Sequence, residues 1–125
     1  MATIPMTTQD FKDKVFNYST KQDWEYQGEL PAIIDFYADW CVPCKMVAPV
    51  LEELSMEYEG RVVIYKVNTD TEPELSAVFG IQSIPTMLFI DVNGEPMMQP
   101  GAFPKHVFKK IIEEKLLVLE EVKNK

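Results

Sequence analysis

Cys41 and Cys44 are the only thiols in a chain of 125 residues, and they stand two residues apart in the stretch DFYADWCVPCK. Thiols at this spacing can hold a metal, close a structural disulfide or carry redox chemistry. A closed zinc site takes four ligands. The single histidine, His106, is far from the pair, and no carboxylates are spaced to complete a set. No intrachain metal is therefore expected, and a metal shared between two chains stays open. A bridge across so short a loop removes little entropy from the unfolded chain, so a purely structural disulfide is the weaker reading. A domain of this size does not need such a staple in order to fold.

Redox chemistry accounts for where the pair stands. Cys41 falls at the junction between the apolar run PAIIDFYA and a stretch whose apolar residues recur at helical spacing. In that stretch Met46, Val47, Val50, Leu51 and Leu54 predict a helix from Cys41 to about Tyr58, with Gly60 closing it. Pro49 stands inside it and is expected to kink it. A sulfur at a helix start meets free backbone N–H groups and the positive end of the helix dipole. Both favour the thiolate, which is the attacking species. Pro43 suits the first turn, where its missing N–H costs nothing. Cys44 lies one turn on, on the same side. The expected roles are attack by Cys41 and resolution by Cys44.

Resolution requires Cys44 to lose a proton. Asp35, an acid in the middle of an apolar strand, is the candidate acceptor. An unpaired buried carboxyl is costly and its pKa rises towards a useful range. The opposing reading makes Asp35 an outward-facing acid, or one satisfied by a salt bridge.

The elements around the pair give the frame. Thr7 and Thr8 precede an amphipathic helix carrying Phe11, Val15, Phe16 and Tyr18. A polar loop follows to Gly28, with Trp24 and Tyr26 expected to pack onto the domain edge. PAIIDFYA and RVVIYKV read as strands buried on both faces. Residues 74–79 read as a short helix closed by Gly80, and TMLFID as a third strand. VNGE carries a hairpin signal, and PMMQP an edge strand. In the terminal helix, Val107, Phe108, Ile111, Ile112, Lys115, Leu116 and Leu119 mark the inner stripe. The class is α/β: one domain over residues 1–125, a mixed sheet with helices on both faces.

Composition excludes some functions. A net charge of −8 argues against a nucleic-acid backbone as partner. No apolar run approaches the roughly 18–20 residues of a membrane span. The start of the chain lacks the pattern of a secretory leader, so a cytoplasmic protein is expected. A periplasmic one is the alternative, if a leader preceded this start.

The stretches FYADWCVPCKMVAPVLEEL, VNTDTEPELSAVFGIQSIPTMLFIDVNGE and PGAF resemble the thioredoxin family in order and spacing, over roughly residues 7–120. A C-x-x-C beside a βαβ pattern is generally read that way. Trp before it, Pro within it, Lys after it, an acid upstream and IPT downstream make the resemblance specific. It implies the thioredoxin fold and reversible reduction of protein disulfides, with no cofactor beyond the dithiol itself. It also implies that Cys41 is the nucleophile, Cys44 the resolving thiol and Asp35 the buried carboxylate. Lys66 takes the place of the lysine beside that acid, and Pro85 that of a cis-proline facing the cysteines. A cis turn there would expose the backbone of Ile84 to an extended substrate. Trp40, Val42, Pro43, Ile84, Gly101 and Ala102 would line a shallow apolar groove, where ordinary packing is the alternative for each. Implied partners are oxidised proteins and a flavin-dependent thioredoxin reductase or another dithiol donor, with the chain acting as a monomer.

The sequence departs from the family pattern at Val42, where glycine is common, at Ser83, also a frequent glycine, and at Tyr37, a frequent tryptophan. The segment before IIDF is longer than in compact members. An oxidase or isomerase of the same fold, or a binding module without turnover, are the competing functions.

Overall fold

The computed structural model describes residues 2–117. Within them the elements run β1 (Ile4–Pro5), α1 (Thr8–Lys14), β2 (Ala32–Tyr37), α2 (Val42–Glu57), β3 (Val63–Asn68), α3 (Pro73–Val78), β4 (Thr86–Ile90), β5 (Met97–Pro100) and α4 (Lys105–Ile111). A π-helical turn over Ile112–Leu116 extends α4. No helix among the described residues is long and apolar enough to cross a membrane.

The five strands form one mixed sheet in the order β1-β3-β2-β4-β5. β2 and β3 run parallel, joined through α2, while β4 and β5 run antiparallel to their neighbours. Because side chains alternate along a strand, register sorts them into two layers. Ile33, Ile64, Met87 and Phe89 face Val47, Leu51 and Leu54 of α2 and Phe108 and Ile112 of the last helix. Ile34, Phe36, Val67, Leu88 and Ile90 face Phe11, Val15, Phe16 and Leu75 on the other side. A one-residue slip of β2 would turn Asp35 into the second layer and two isoleucines out of theirs.

Local chemistry explains the helix starts. Thr7 accepts from the Asp10 N–H and Asp10 accepts from the Thr7 N–H, a reciprocal cap that begins α1. Gly60 and Gly80 take φ of +81° and +61° just after α2 and α3, a region that costs a side chain dearly.

Four expectations need correction. β1 pairs with β3 and was not foreseen, because two residues show no alternation. α1 ends at Lys14, so Tyr18 lies beyond it. Met46 is 71% exposed and leaves the inner stripe of α2, which runs through Cys44, Val47, Leu51 and Leu54. Lys115 is exposed, while Leu119 lies outside the described residues. Trp24 and Tyr26 do pack on the edge of the second layer.

Candidate active site

β2 points straight at the cysteines. Four residues after it ends, Cys41 caps α2 with its side chain: its Sγ accepts from the Cys44 N–H at 3.2 Å. A capping side chain satisfies one of the orphan donors at a helix start, and here the acceptor is the sulfur itself. Pro43 occupies the first turn, where α2 lacks acceptors for N–H groups in any case. Cys41 and Cys44 are joined by a disulfide, with their Cα atoms 5.3 Å apart.

Burial does not distinguish the two sulfurs, since Cys41 is 4% and Cys44 3% exposed. Their surroundings do. Cys41 Sγ lies 3.7 Å from the carbonyl oxygen of Ile84, and the Ile84–Pro85 peptide bond is cis. Trp40 and Val42, 67% and 65% exposed, flank it with Pro43. Cys44 sits on the inner stripe of α2 and faces the sheet.

Under that face lies a cavity of about 320 Å³, lined by Asp35, Tyr37, Ala38, Asp39, Cys44, Lys45, Ala48 and Lys66. A pocket of this volume has room for several waters beside its charged side chains. Asp35 is 1% exposed, and its Oδ1 has no hydrogen-bond partner among the described residues. It is neither an outward acid nor a satisfied one. Burial pushes its carboxyl up to about 7, against the pull of the Lys66 ammonium. Lys66 is the direct register partner of Asp35 across the parallel β2–β3 pair. It is half-buried, and its Nζ lies 4.7 Å from the centroid of the Tyr37 ring.

On the other side of Cys41 a groove of about 180 Å³ runs between Trp40 and Ile84, walled by Thr69, Ile81, Gln82 and Ser83. The Trp40 indole N–H donates to Asp70 at 2.9 Å, which fixes the ring on the surface. Gly101 joins this end of the sheet by donating its N–H to the Pro85 carbonyl at 2.9 Å. Its φ of +128° calls for glycine, and an added Cβ would stand 3.3 Å from the Phe103 ring. Ala102 follows it, exposed.

Of the residues expected to line the groove, Trp40 and Ile84 wall it, while Val42 and Pro43 begin α2 beside Cys41 and Gly101 reaches Pro85 through its hydrogen bond. The sequence reading missed Met46, which extends the exposed apolar surface one turn along α2 from Val42. It also missed Asp70, the partner of Trp40. The i, i+4 spacing of Val42 and Met46 was a usable signal; nothing local singles out Asp70.

The thioredoxin family model matches residues 3–114. The chain is 47% identical over 111 residues to a thioredoxin of Borreliella burgdorferi, covering 89% of this chain and 95% of that one. It is 42% identical over 103 residues to a thioredoxin of Synechocystis, covering 82% and 95%. The crystal structure of a chloroplastic thioredoxin z superposes with a TM-score of 0.76 at 26% identity, covering 91% of this chain and 94% of that one. With the dithiol pair at the head of α2 and the mixed sheet beneath it, the chain belongs to the thioredoxin family and is a thiol–disulfide oxidoreductase of the thioredoxin type.

Proposed function

We propose that the protein reduces disulfides of other proteins, with Cys41 as nucleophile and Cys44 as resolving thiol. One observation supports the order: Cys41 Sγ lies 3.7 Å from the carbonyl of Ile84, a wall of the groove, whereas Cys44 lines the pocket that holds Asp35.

In the reduced protein the Cys41 thiolate sits where the Cys44 N–H and the start of α2 stabilise it. It attacks one sulfur of a substrate disulfide. That bond breaks, the distal substrate sulfur leaves as a thiolate and takes up a proton, and a mixed disulfide joins Cys41 to the substrate. Cys44 then gives its proton to the Asp35 carboxylate, directly or through water in the cavity. A base whose pKa lies near the working pH is effective in such a transfer. The Cys44 thiolate attacks the Cys41 sulfur, the bond to substrate breaks, and the Cys41–Cys44 disulfide forms. Two electrons have passed from the dithiol to the substrate.

Trp40, Val42, Pro43, Ile84, Pro85, Gly101 and Ala102 form the docking surface in this reading. An extended substrate segment pairs with the backbone at Ile84, which brings its sulfur to Cys41. Thioredoxins are recycled by a reductase; here a flavin-dependent reductase, or another dithiol donor, returns the two electrons. We place the protein, as a monomer, in the cytoplasm, where thiols are kept reduced.

The test is reduction of insulin by dithiothreitol with catalytic amounts of protein. The wild type accelerates it and Cys41→Ser does not. Cys44→Ser accumulates mixed disulfides with oxidised protein. Trapping by Cys41→Ser instead would reverse the roles, and no acceleration by the wild type would leave a binding module.

A further inference from the structure

Tyr37 belongs to none of the roles above, yet it stands between them. It is the last residue of β2, two positions from Asp35 and therefore on the same face of the sheet. Lys66 is the register partner of Asp35 and Asn68 that of Tyr37, so Tyr37 and Lys66 are diagonal neighbours across one parallel pair. A lysine at this register has two places for its ammonium. It can fold onto the carboxylate opposite, or lean along the strand onto the ring. It takes the ring, with Nζ 4.7 Å from the centroid. Among the described residues no ion pair joins Lys66 to Asp35, and Asp35 Oδ1 stays unpartnered.

A cation over a ring face at this distance is held by the ring quadrupole, the more strongly where water is thin. Tyr37 also packs against the Ala38, Cys41 and Cys44 cluster, which fixes the ring in place. We propose that Tyr37 is a positioning residue for the resolving step: its ring holds the Lys66 ammonium off Asp35 and so keeps the carboxylate oxygen open to the Cys44 proton. The proposal rests on Asp35 being the proton acceptor.

The groups that face Asp35 are few. β3 brings Lys66, α2 brings Cys44 and Lys45, the turn before α2 brings Asp39, and β2 brings Tyr37. β4 brings the uncharged Met87. Of the two ammonium groups, Lys66 is the one whose charge acts on the Asp35 carboxyl. Removing the ring frees that ammonium to close on the acid. A direct opposite charge lowers a carboxyl by about 1–3 units.

The experiment follows the Asp35 carboxyl by carbon NMR and the resolving rate by stopped flow, both across pH. Tyr37→Leu and Tyr37→Met, two ringless variants of different shape, are expected to lower the Asp35 titration by about one unit or more. The acid limb of the resolving rate moves down by the same amount, and the plateau falls roughly threefold, because a weaker base accepts a proton more slowly. Tyr37→Phe keeps the ring and is expected to match the parent in both. Adding Lys66→Gln to Tyr37→Leu should cancel the downward shift, since the ammonium that causes it has gone. A titration in the folded ringless variants that equals the parent's overturns the proposal, and so does a full shift in Tyr37→Phe. Asp35→Asn separates the two levels: if it leaves the resolving rate unchanged, the acceptor role itself fails, whatever Tyr37 does.

Discussion

Each of the two tryptophans donates an indole hydrogen bond of the same length, and they meet opposite fates. Trp24 donates its indole N–H to the Gly94 carbonyl at 2.9 Å, and Trp40 donates its own to the Asp70 carboxylate at 2.9 Å. Trp24 lies half-buried on Phe16, ring centroids 5.0 Å apart, and closes the far end of the sheet. Trp40 is 67% exposed beside Cys41. At the far end the polar atoms of the aromatic side chains are spent on structure: the Tyr26 hydroxyl donates to the Leu30 carbonyl at 2.6 Å. At the cysteine end a buried acid has an unpartnered oxygen, and Trp40, Val42 and Met46 present apolar surface to solvent. One end is built for stability, and the other keeps features that stability alone would remove.

Asp35→Asn breaks this contrast most sharply. The folded carboxyl sits at about 7 because of burial, well above its unfolded value of about 3.9. The folded state therefore binds the Asp35 proton more tightly than the unfolded state. Stability from this group is full below about pH 4 and is lost as pH rises through about 7. At pH 8 the penalty is on the order of 4 kcal/mol. The amide carries no charge to desolvate, so Asp35→Asn is expected to be several kcal/mol more stable at pH 8 and little changed at pH 4. The resolving step should slow about 100-fold, while first attack by Cys41 changes little. Urea midpoints at the two pH values and single-turnover rates check both halves. A variant that is no more stable at pH 8 would show that water or a partner already satisfies the acid.

The tryptophans themselves give the next largest effect. Trp24→Ala removes a ring packed on Phe16 and leaves the Gly94 carbonyl without its donor. A loss of about 2–3 kcal/mol is expected, with insulin reduction per folded molecule within about twofold of the parent. Trp40→Ala should shift stability by less than about 1 kcal/mol. Its kcat/KM for protein disulfides should fall roughly tenfold or more, because an exposed tryptophan at the centre of a docking surface carries much of the contact energy. If the two variants exchange these phenotypes, the division between the ends is wrong.

The same contrast decides what could be read from sequence. The buried strands announced themselves as uninterrupted apolar runs, and the helix starts as Thr7 and Pro43, because those signals are local. The cysteine pair was legible for the same reason: its spacing, its place after a strand and the acid upstream all lie in one short segment. β1 was not legible, since Ile4–Pro5 is a strand only because β3 lies beside it. Met46 was misplaced because an apolar residue at helical spacing ordinarily faces a core, and here the core stripe passes one residue away. The Tyr37–Lys66 contact joins residues from different strands, so it follows from register and not from either segment alone.

Val42 belongs to the exposed surface at the cysteine end, and its effect is the smallest expected. It stands at the first position of α2, 65% exposed, between the attacking sulfur and Pro43. The cap on Cys41 is made by the Cys44 N–H and not by the Val42 side chain, so Val42→Gly should leave it in place. The potential follows the relative stability of dithiol and disulfide, in which an exposed isopropyl group has little part. We expect a shift of less than about 10 mV, where 30 mV corresponds to about 1.4 kcal/mol. Docking is different, because a partner that covers this wall buries most of the side chain. That contact is worth about 1 kcal/mol, or roughly fivefold in kcat/KM, for substrates with apolar residues flanking the disulfide. Substrates with charged flanks should be nearly indifferent. Glutathione equilibration gives the potential, and paired peptide substrates give the preference. A shift above about 30 mV with unchanged preference would assign Val42 to the chemistry of the sulfur and not to the surface around it.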